Sequence, residues 1–147
     1  MLLVRTRIAA SSIHGVGCFA SESIASGAMV WQFHPRIDLV FTRDEILATP
    51  PAFQIFLVQY ASKDVAQDRY VYCADNARFL NHAGSPNLVH NAVTSATAMF
   101  ARRDIAAGEE LTLDYRFVDD PYEAGNVLTE IGRSFGEQDL LDPRLKD

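Results

Sequence analysis

The chain has 147 residues, 48% of them hydrophobic and 22% charged, which suits one domain with a buried core and excludes a disordered segment. Lys and Arg number 13 against 19 Asp and Glu, a formal net charge of −6. That balance speaks against coating nucleic acid and suits a basic partner such as a Lys/Arg-rich peptide, although plain solubility is the commoner reason for such a charge. Two cysteines, Cys18 and Cys73, are too few for a disulfide framework or a cysteine-built zinc cluster, and their apolar neighbours suit reduced, buried thiols. Arg5 and Arg7 interrupt the apolar start before a signal-length core develops, and no apolar run reaches transmembrane length. A cytoplasmic protein with no membrane partner is the expectation.

Residues 2–9 read as a strand, followed by Ser11-Ser12-Ile13-His14-Gly15-Val16-Gly17-Cys18-Phe19-Ala20. Gly15 and Gly17 permit a sharp turn and a close approach to a ligand; a simple hairpin turn is the bland alternative. Ser26-Gly27 marks a second turn before a strand over 28–33, and Ile37 to Phe41 form another short strand. Thr42 and Glu45 have the spacing of a capping box, so a helix starts there and Pro50-Pro51 end it. A second helix is expected over residues 52–62, with Phe53, Phe56, Leu57 and Tyr60 on one face, a stripe more typical of core than of a ligand box. Lys63 to Asp68 read as a polar loop, Arg69 to Cys73 as a strand, and residues 88–93, 96–101 and 111–115 as further strands. From Pro121 a weak helical pattern carries Val127, Leu128 and Ile131 as its apolar positions, limited by Gly132, Gly136 and Pro143. Many short strands and few helices predict a mainly β domain.

Two stretches stand apart. Arg78-Phe79-Leu80-Asn81-His82-Ala83-Gly84-Ser85-Pro86-Asn87 and Gly108-Glu109-Glu110-Leu111-Thr112-Leu113-Asp114-Tyr115 both set polar, hydrogen-bonding residues in apolar surroundings, which packing alone would avoid. They are expected to meet in one site.

His14 to Ala20 resembles the H-G-x-G-x-F-A segment that opens the SET domain, and Arg78 to Asn87 resembles its R-F-x-N-H-S-x-x-P-N signature. Ala101 to Tyr115 resembles the A-x-R-D-I-x-x-G-E-E-L-T-x-D-Y ending. Three motifs in the family's order are jointly specific. The resemblance implies a β-clip-like fold of small, mostly antiparallel sheets with a C-terminal pseudoknot, in which the last motif threads under a loop of the preceding segment. It places a SET domain over residues 1–117 with a helical insert at about 42–68, and leaves 118–147 as a tail that packs on or caps the domain.

The resemblance also implies an S-adenosylmethionine-dependent protein-lysine methyltransferase, with a basic protein or peptide, histone-like or ribosomal, as substrate. Tyr115 matches the catalytic tyrosine. Asn81 and His82 match the pair that holds the cofactor, Arg78 a residue that lines or braces the same pocket, and Gly15, Val16 and Gly17 the loop along the cofactor's methionine end. Leu113 and Phe117, two residues either side of Tyr115, match positions that set room in the substrate channel. Neither carries a hydroxyl, so more than one methyl should be tolerated. The strand around Tyr70 and Tyr72, with Tyr72 at the channel, would take an extended substrate by strand addition. His14 reads as structural, and His34 and His90 have no assigned role.

The sequence departs from the pattern at two points. Ala83 stands where Ser is usual, and Gly84 where many members place a zinc-binding Cys, so no metal site and no zinc-bound cap are expected. Tyr122 and Phe135 are candidates for closing the site instead, with ordinary tail docking an equal alternative, and a homodimer stays open. The competing function is a catalytically silent SET-fold interaction module.

Overall fold

A computed structural model describes residues 1–64, 67–90, 98–115 and 126–135. In chain order its elements are β1 (Thr6–Ala10), β2 (Val16–Ala20), β3 (Met29–Gln32), β4 (Leu39–Phe41), α1 (Arg43–Leu47) and α2 (Pro51–Tyr60). These are followed by β5 (Ala61–Asp64), β6 (Arg69–Tyr72), a 3₁₀ turn over Asn76–Phe79, β7 (Asn81–His82) and β8 (Leu88–His90). The last elements are β9 (Ala98–Ala101), β10 (Thr112–Leu113) and α3 (Val127–Ser134). Among the described residues the strands form small sheets ordered β1-β2, β3-β9-β8 and β4-β6-β5, all antiparallel, and one parallel pair, β10-β7.

Local chemistry accounts for most boundaries. The capping box of α1 forms as expected: Thr42 Oγ1 accepts from Glu45 N–H, and the Glu45 carboxylate accepts from Thr42 N–H at 2.8 Å. Pro51 opens α2 rather than only ending α1, since the first helical position needs no N–H partner. In α3 the buried Asn126 caps the helix by accepting from Leu128 N–H at 3.1 Å. The helix runs through Gly132, which packs inside it and does not stop it.

The first two residues of the segment expected to be a polar loop, Lys63 and Asp64, instead end strand β5, set against β6 with Lys63 opposite Tyr70 and Asp64 opposite Arg69, while Asp68 lies in a turn as expected. The charges of β5 are matched across the sheet and the turn: Arg69 Nε donates to the buried Asp64 at 3.1 Å, and Lys63 Nζ lies 3.4 Å from the exposed turn residue Asp68. Burial with partners made a polar sequence compatible with a strand.

The apolar residues gather in two clusters. The larger, around Trp31, Leu88, Ile105 and Leu111, joins the sheets that carry the N- and C-terminal motifs. The second packs Val127, Leu128 and Ile131 of α3 against Ile46, Leu57 and Tyr70. The Tyr70 hydroxyl accepts from Val127 N–H at 2.9 Å, and Arg43 pairs with Glu130 at 2.6 Å, fixing α3 to β6 and α1. β6 is therefore the middle strand of its sheet, with β4 and β5 filling both edges, so a substrate cannot add to the strand of Tyr70 and Tyr72. No helix among the described residues is long and apolar enough to cross a membrane.

Candidate active site

The two polar stretches meet through the segment 108–115, which is paired on both flanks. On one side Leu111 N–H donates to Cys18 O at 2.7 Å and Ala20 N–H to Glu109 O at 2.9 Å, along β2. On the other, β10 lies parallel to β7, with Thr112 opposite Asn81 and Leu113 opposite His82, and Ala83 N–H donates to Leu113 O at 3.1 Å. Beyond β7 the side chain of Asn87, 2% exposed, continues the ladder. Its amide donates to Glu110 O at 2.8 Å and to Glu109 Oε1 at 3.1 Å, and its carbonyl accepts from Thr112 N–H at 2.9 Å.

This pairing brings Tyr115 to His82 and Leu80. Tyr115 N–H donates to His82 Nδ1 at 3.2 Å, the two rings sit edge to face with centroids 5.8 Å apart, and the Tyr115 hydroxyl donates to Leu80 O. His82 Nδ1 also lies 3.8 Å from Asp114 Oδ1. Leu113, 5% exposed, packs in the larger core.

Asn81 reaches the opening loop. Its Nδ2 lies 3.1 Å from both His14 O and Val16 O and 2.8 Å from Glu110 Oε1; with acceptors on every side the amide can take only this orientation. Gly15 has φ +48°, the left-handed conformation that the β1–β2 turn requires, whereas Gly17 lies within β2 and meets a different demand. A Cβ there would lie 2.2 Å from Glu110 Oε1.

Arg78 stands apart from this group. Its guanidinium lies over the Phe79 ring at 4.8 Å and donates to the Tyr72 hydroxyl at 3.3 Å and to Ala74 O at 2.9 Å, bracing Tyr72. Tyr72 in turn packs on Phe56 with centroids 5.5 Å apart. Phe117 and Tyr122 lie outside the described residues, and Phe135, at the end of α3, is exposed. Burial pushes the Cys18 thiol up to about 11 and the Cys73 thiol up as well, so neither is a nucleophile at neutral pH.

Among the polar residues that the motifs contained but residue-by-residue reading left without a role are Glu110 and Asn87. A Glu directly after another Glu, preceding an apolar strand, looks like surface charge; its partners lie 29 and 99 positions away. Glu109, the other of the pair, is held down to about 2 by the Arg103 guanidinium, with the Asn87 amide and Ala106 N–H adding to it. A carboxylate depressed in the folded state contributes stability above its ordinary pKa of about 4.3 and loses it as pH falls toward 2. Urea unfolding between pH 6 and pH 2 should therefore show a steeper acid loss for the parent than for Glu109→Gln; equal slopes would remove Glu109 from the acid response.

A domain of small antiparallel sheets closed by a parallel crossing, with a tyrosine held beside an Asn-His pair, defines the class. The SET domain matches residues 15–116, and the chain belongs to that family. It is 31% identical over 124 residues to a Schizosaccharomyces pombe histone-lysine N-methyltransferase, H3 lysine-4 specific, a match covering 80% of this chain and 13% of that protein. It is 30% identical over 113 residues to human histone-lysine N-methyltransferase 2B, covering 73% of this chain and 4% of that one. The chain spans between 4% and 13% of the length of these relatives. Among solved structures, Chaetomium thermophilum Polycomb Repressive Complex 2 superposes with a TM-score of 0.62 at 21% identity, covering 88% of this chain and 17% of that one, which shows a shared fold.

SET-domain methyltransferases use S-adenosylmethionine as methyl donor. The residues here suit such a group. The carbonyl oxygen of Leu80 suits a cationic sulfonium, and nothing lies within 4 Å of a Cβ built on Gly15 or Gly84, which leaves room beside the loop and beside β7. Gly84, the departure from the family pattern, thus crowds nothing.

Proposed function

We propose that this chain transfers a methyl group from S-adenosylmethionine to the Nζ of a lysine in a basic protein or peptide. The observation that carries this reading is the meeting of Tyr115 with Asn81 and His82 across the β7–β10 pair. When bound, S-adenosylmethionine supplies an electrophilic methyl on a sulfonium sulfur, open to in-line attack by an amine. The rest falls to the chain's own residues. A lysine has an unperturbed pKa of about 10.4 and must arrive neutral, which an apolar channel beside Tyr72 would favour, with Leu113 assigned to it by its position two residues before Tyr115. The Tyr115 oxygen, its proton directed to Leu80 O, accepts from the amine N–H and turns the nitrogen lone pair toward the methyl group. Phe117 is assigned to the same channel by its position two residues beyond Tyr115.

Gly15, Val16 and Gly17 with Asn81 and His82 are the residues assigned to hold the methyl donor, and Arg78 braces the Tyr72 wall. The net charge of −6 and the histone-lysine activity named for the relatives both favour a basic substrate. The test is calorimetry with S-adenosylmethionine followed by labelled-methyl transfer onto a basic protein mixture. Binding with micromolar affinity and labelling of lysine are expected. Binding without labelling of a broad lysate would favour a silent interaction module, and no binding would remove the reading.

With Leu113 and Phe117 lacking a hydroxyl to hold water in a methyl's place, the product should include di- or trimethyl-lysine. Intact-mass analysis at saturating donor checks this, and a strictly monomethylated product would refute it.

A further inference from the structure

We infer that Glu110 is a positioning residue that holds the Ser12–Val16 loop in the conformation that takes the methyl donor, an assignment that rests on the reading of the site given above. Residues 12–16 are all exposed, and the hairpin turn has little packing to define it. One backbone bond, Ser11 N–H to Gly15 O at 3.1 Å, closes the turn, and a chain of side-chain hydrogen bonds ending on one carboxylate ties it to the rest of the domain. Ser11 Oγ accepts from Ile13 N–H at 2.9 Å and His14 N–H at 3.3 Å, which folds the loop back on Ser11. The Ser11 hydroxyl then has one proton to give, and Glu110 Oε1 and Oε2 lie 2.8 and 2.9 Å away. From the other end of the loop, Asn81 Nδ2 reaches His14 O and Val16 O and shares its protons with Glu110 Oε1 at 2.8 Å.

Glu110 thus joins the start of the loop, its end and the Asn81 of β7. The carboxylate needs a space free of side chain to do so, and Gly17 provides it: Glu110 Oε1 and Cδ lie 2.2 and 2.7 Å from where a Cβ on Gly17 would stand. Three separate residues, Ser11, Gly17 and Asn81, agree on one carboxylate, and surface charge alone would require none of them. Charge-assisted hydrogen bonds are the strong ones, so their loss should release the loop while β2 and β10 keep their backbone pairing. The loop would then populate the donor-binding conformation only part of the time, and apparent affinity falls by that fraction.

Glu110→Ala should weaken S-adenosylmethionine binding by roughly tenfold in calorimetry, from loss of charge-assisted bonds of typical strength. It should raise KM for the donor by a similar factor while leaving kcat at saturation within about twofold, the split expected for lost ground-state binding. Backbone amides of residues 12–16 should exchange faster in the donor-free protein, a readout that requires no activity. Glu110→Gln, which keeps an acceptor for Asn81, should fall between the two, and Ser11→Ala, at the mouth of the hairpin, should repeat the loop effect should Glu110→Ala not fold. Gly17→Ala should cost less in the Glu110→Ala background than in the parent, because the clash is with the carboxylate itself. A parent that binds no donor overturns the reading of the site and this inference with it. A parent that binds, with Glu110→Ala and Ser11→Ala binding equally well and exchanging no faster at residues 12–16, overturns this inference alone.

Discussion

Tyr115→Phe should cut the rate of methyl transfer by about a hundredfold while leaving donor affinity nearly unchanged. The hydroxyl donates to Leu80 O, and that bond is what sets its direction. With the proton committed there, the oxygen meets the incoming amine as an acceptor, so removing it costs the alignment of the lone pair rather than the binding of either partner. The ring itself stays, and with it the edge-to-face contact with His82 and the backbone bond from Tyr115 N–H to His82 Nδ1. Stability should fall by only about 1 kcal/mol, the net worth of one partly buried hydrogen bond. Single-turnover transfer, measured beside calorimetric binding of S-adenosylmethionine, separates the two effects. Labelling at the parent rate would leave the fold assignment intact and remove the proposed role of Tyr115.

The resemblance in three motifs was enough to bring Tyr115, Asn81 and His82 together, and nothing in hydrophobic periodicity could have done so. β7 and β10 are two residues each, too short for an alternation of apolar and polar residues to register, and their pairing is parallel between positions 31 apart in the chain. Elements with their own local chemistry were readable: the Thr42–Glu45 box, the turn at Ser26-Gly27, and the apolar face Val127, Leu128 and Ile131. Where polar residues are buried by pairing, composition misleads. Lys63 and Asp64 have the polarity of a loop, and only their pairing with Asp68 and Arg69 across the turn makes them compatible with a strand. No Gly or Pro marks the change from α2 to β5 at Ala61, so the helix was carried too far.

Gly17 carries the same lesson at a single residue. Both glycines of the opening motif invite one explanation, a flexible turn, yet only Gly15 has a positive φ. Gly17 is small because the Glu110 carboxylate occupies the volume its side chain would need. The requirement comes from a residue 93 positions later in the chain, and no window of sequence around Gly17 contains it.

Asn87 is where stability and site depend on the same atoms, and Asn87→Ala should destabilise the domain by about 3 kcal/mol or more. The side chain is 2% exposed and stands in for a strand, satisfying Thr112 N–H and Glu110 C=O. Truncation leaves both groups buried and unpaired, each at the desolvation cost of about 1–3 kcal/mol. Asn87→Asp conserves the shape but replaces the donating amide with oxygen facing Glu110 O at 2.8 Å and the Glu109 carboxylate at 3.1 Å, so at neutral pH it should be at least as damaging as Ala. The introduced carboxylate would have a raised pKa in the folded state, so its penalty should shrink relative to Asn87→Ala as pH falls through that raised value and be gone by the unfolded value of about 3.9. Urea unfolding of both variants at pH 7 and pH 3.5 measures this directly. Because Thr112 begins the strand that sets Tyr115 against His82, the same variants should lose methyl transfer in proportion to the population in which β10 has left β7. A stable Asn87→Ala, within about 1 kcal/mol of the parent, would mean that the crossing is held by its backbone pairs alone and that the buried amide is dispensable.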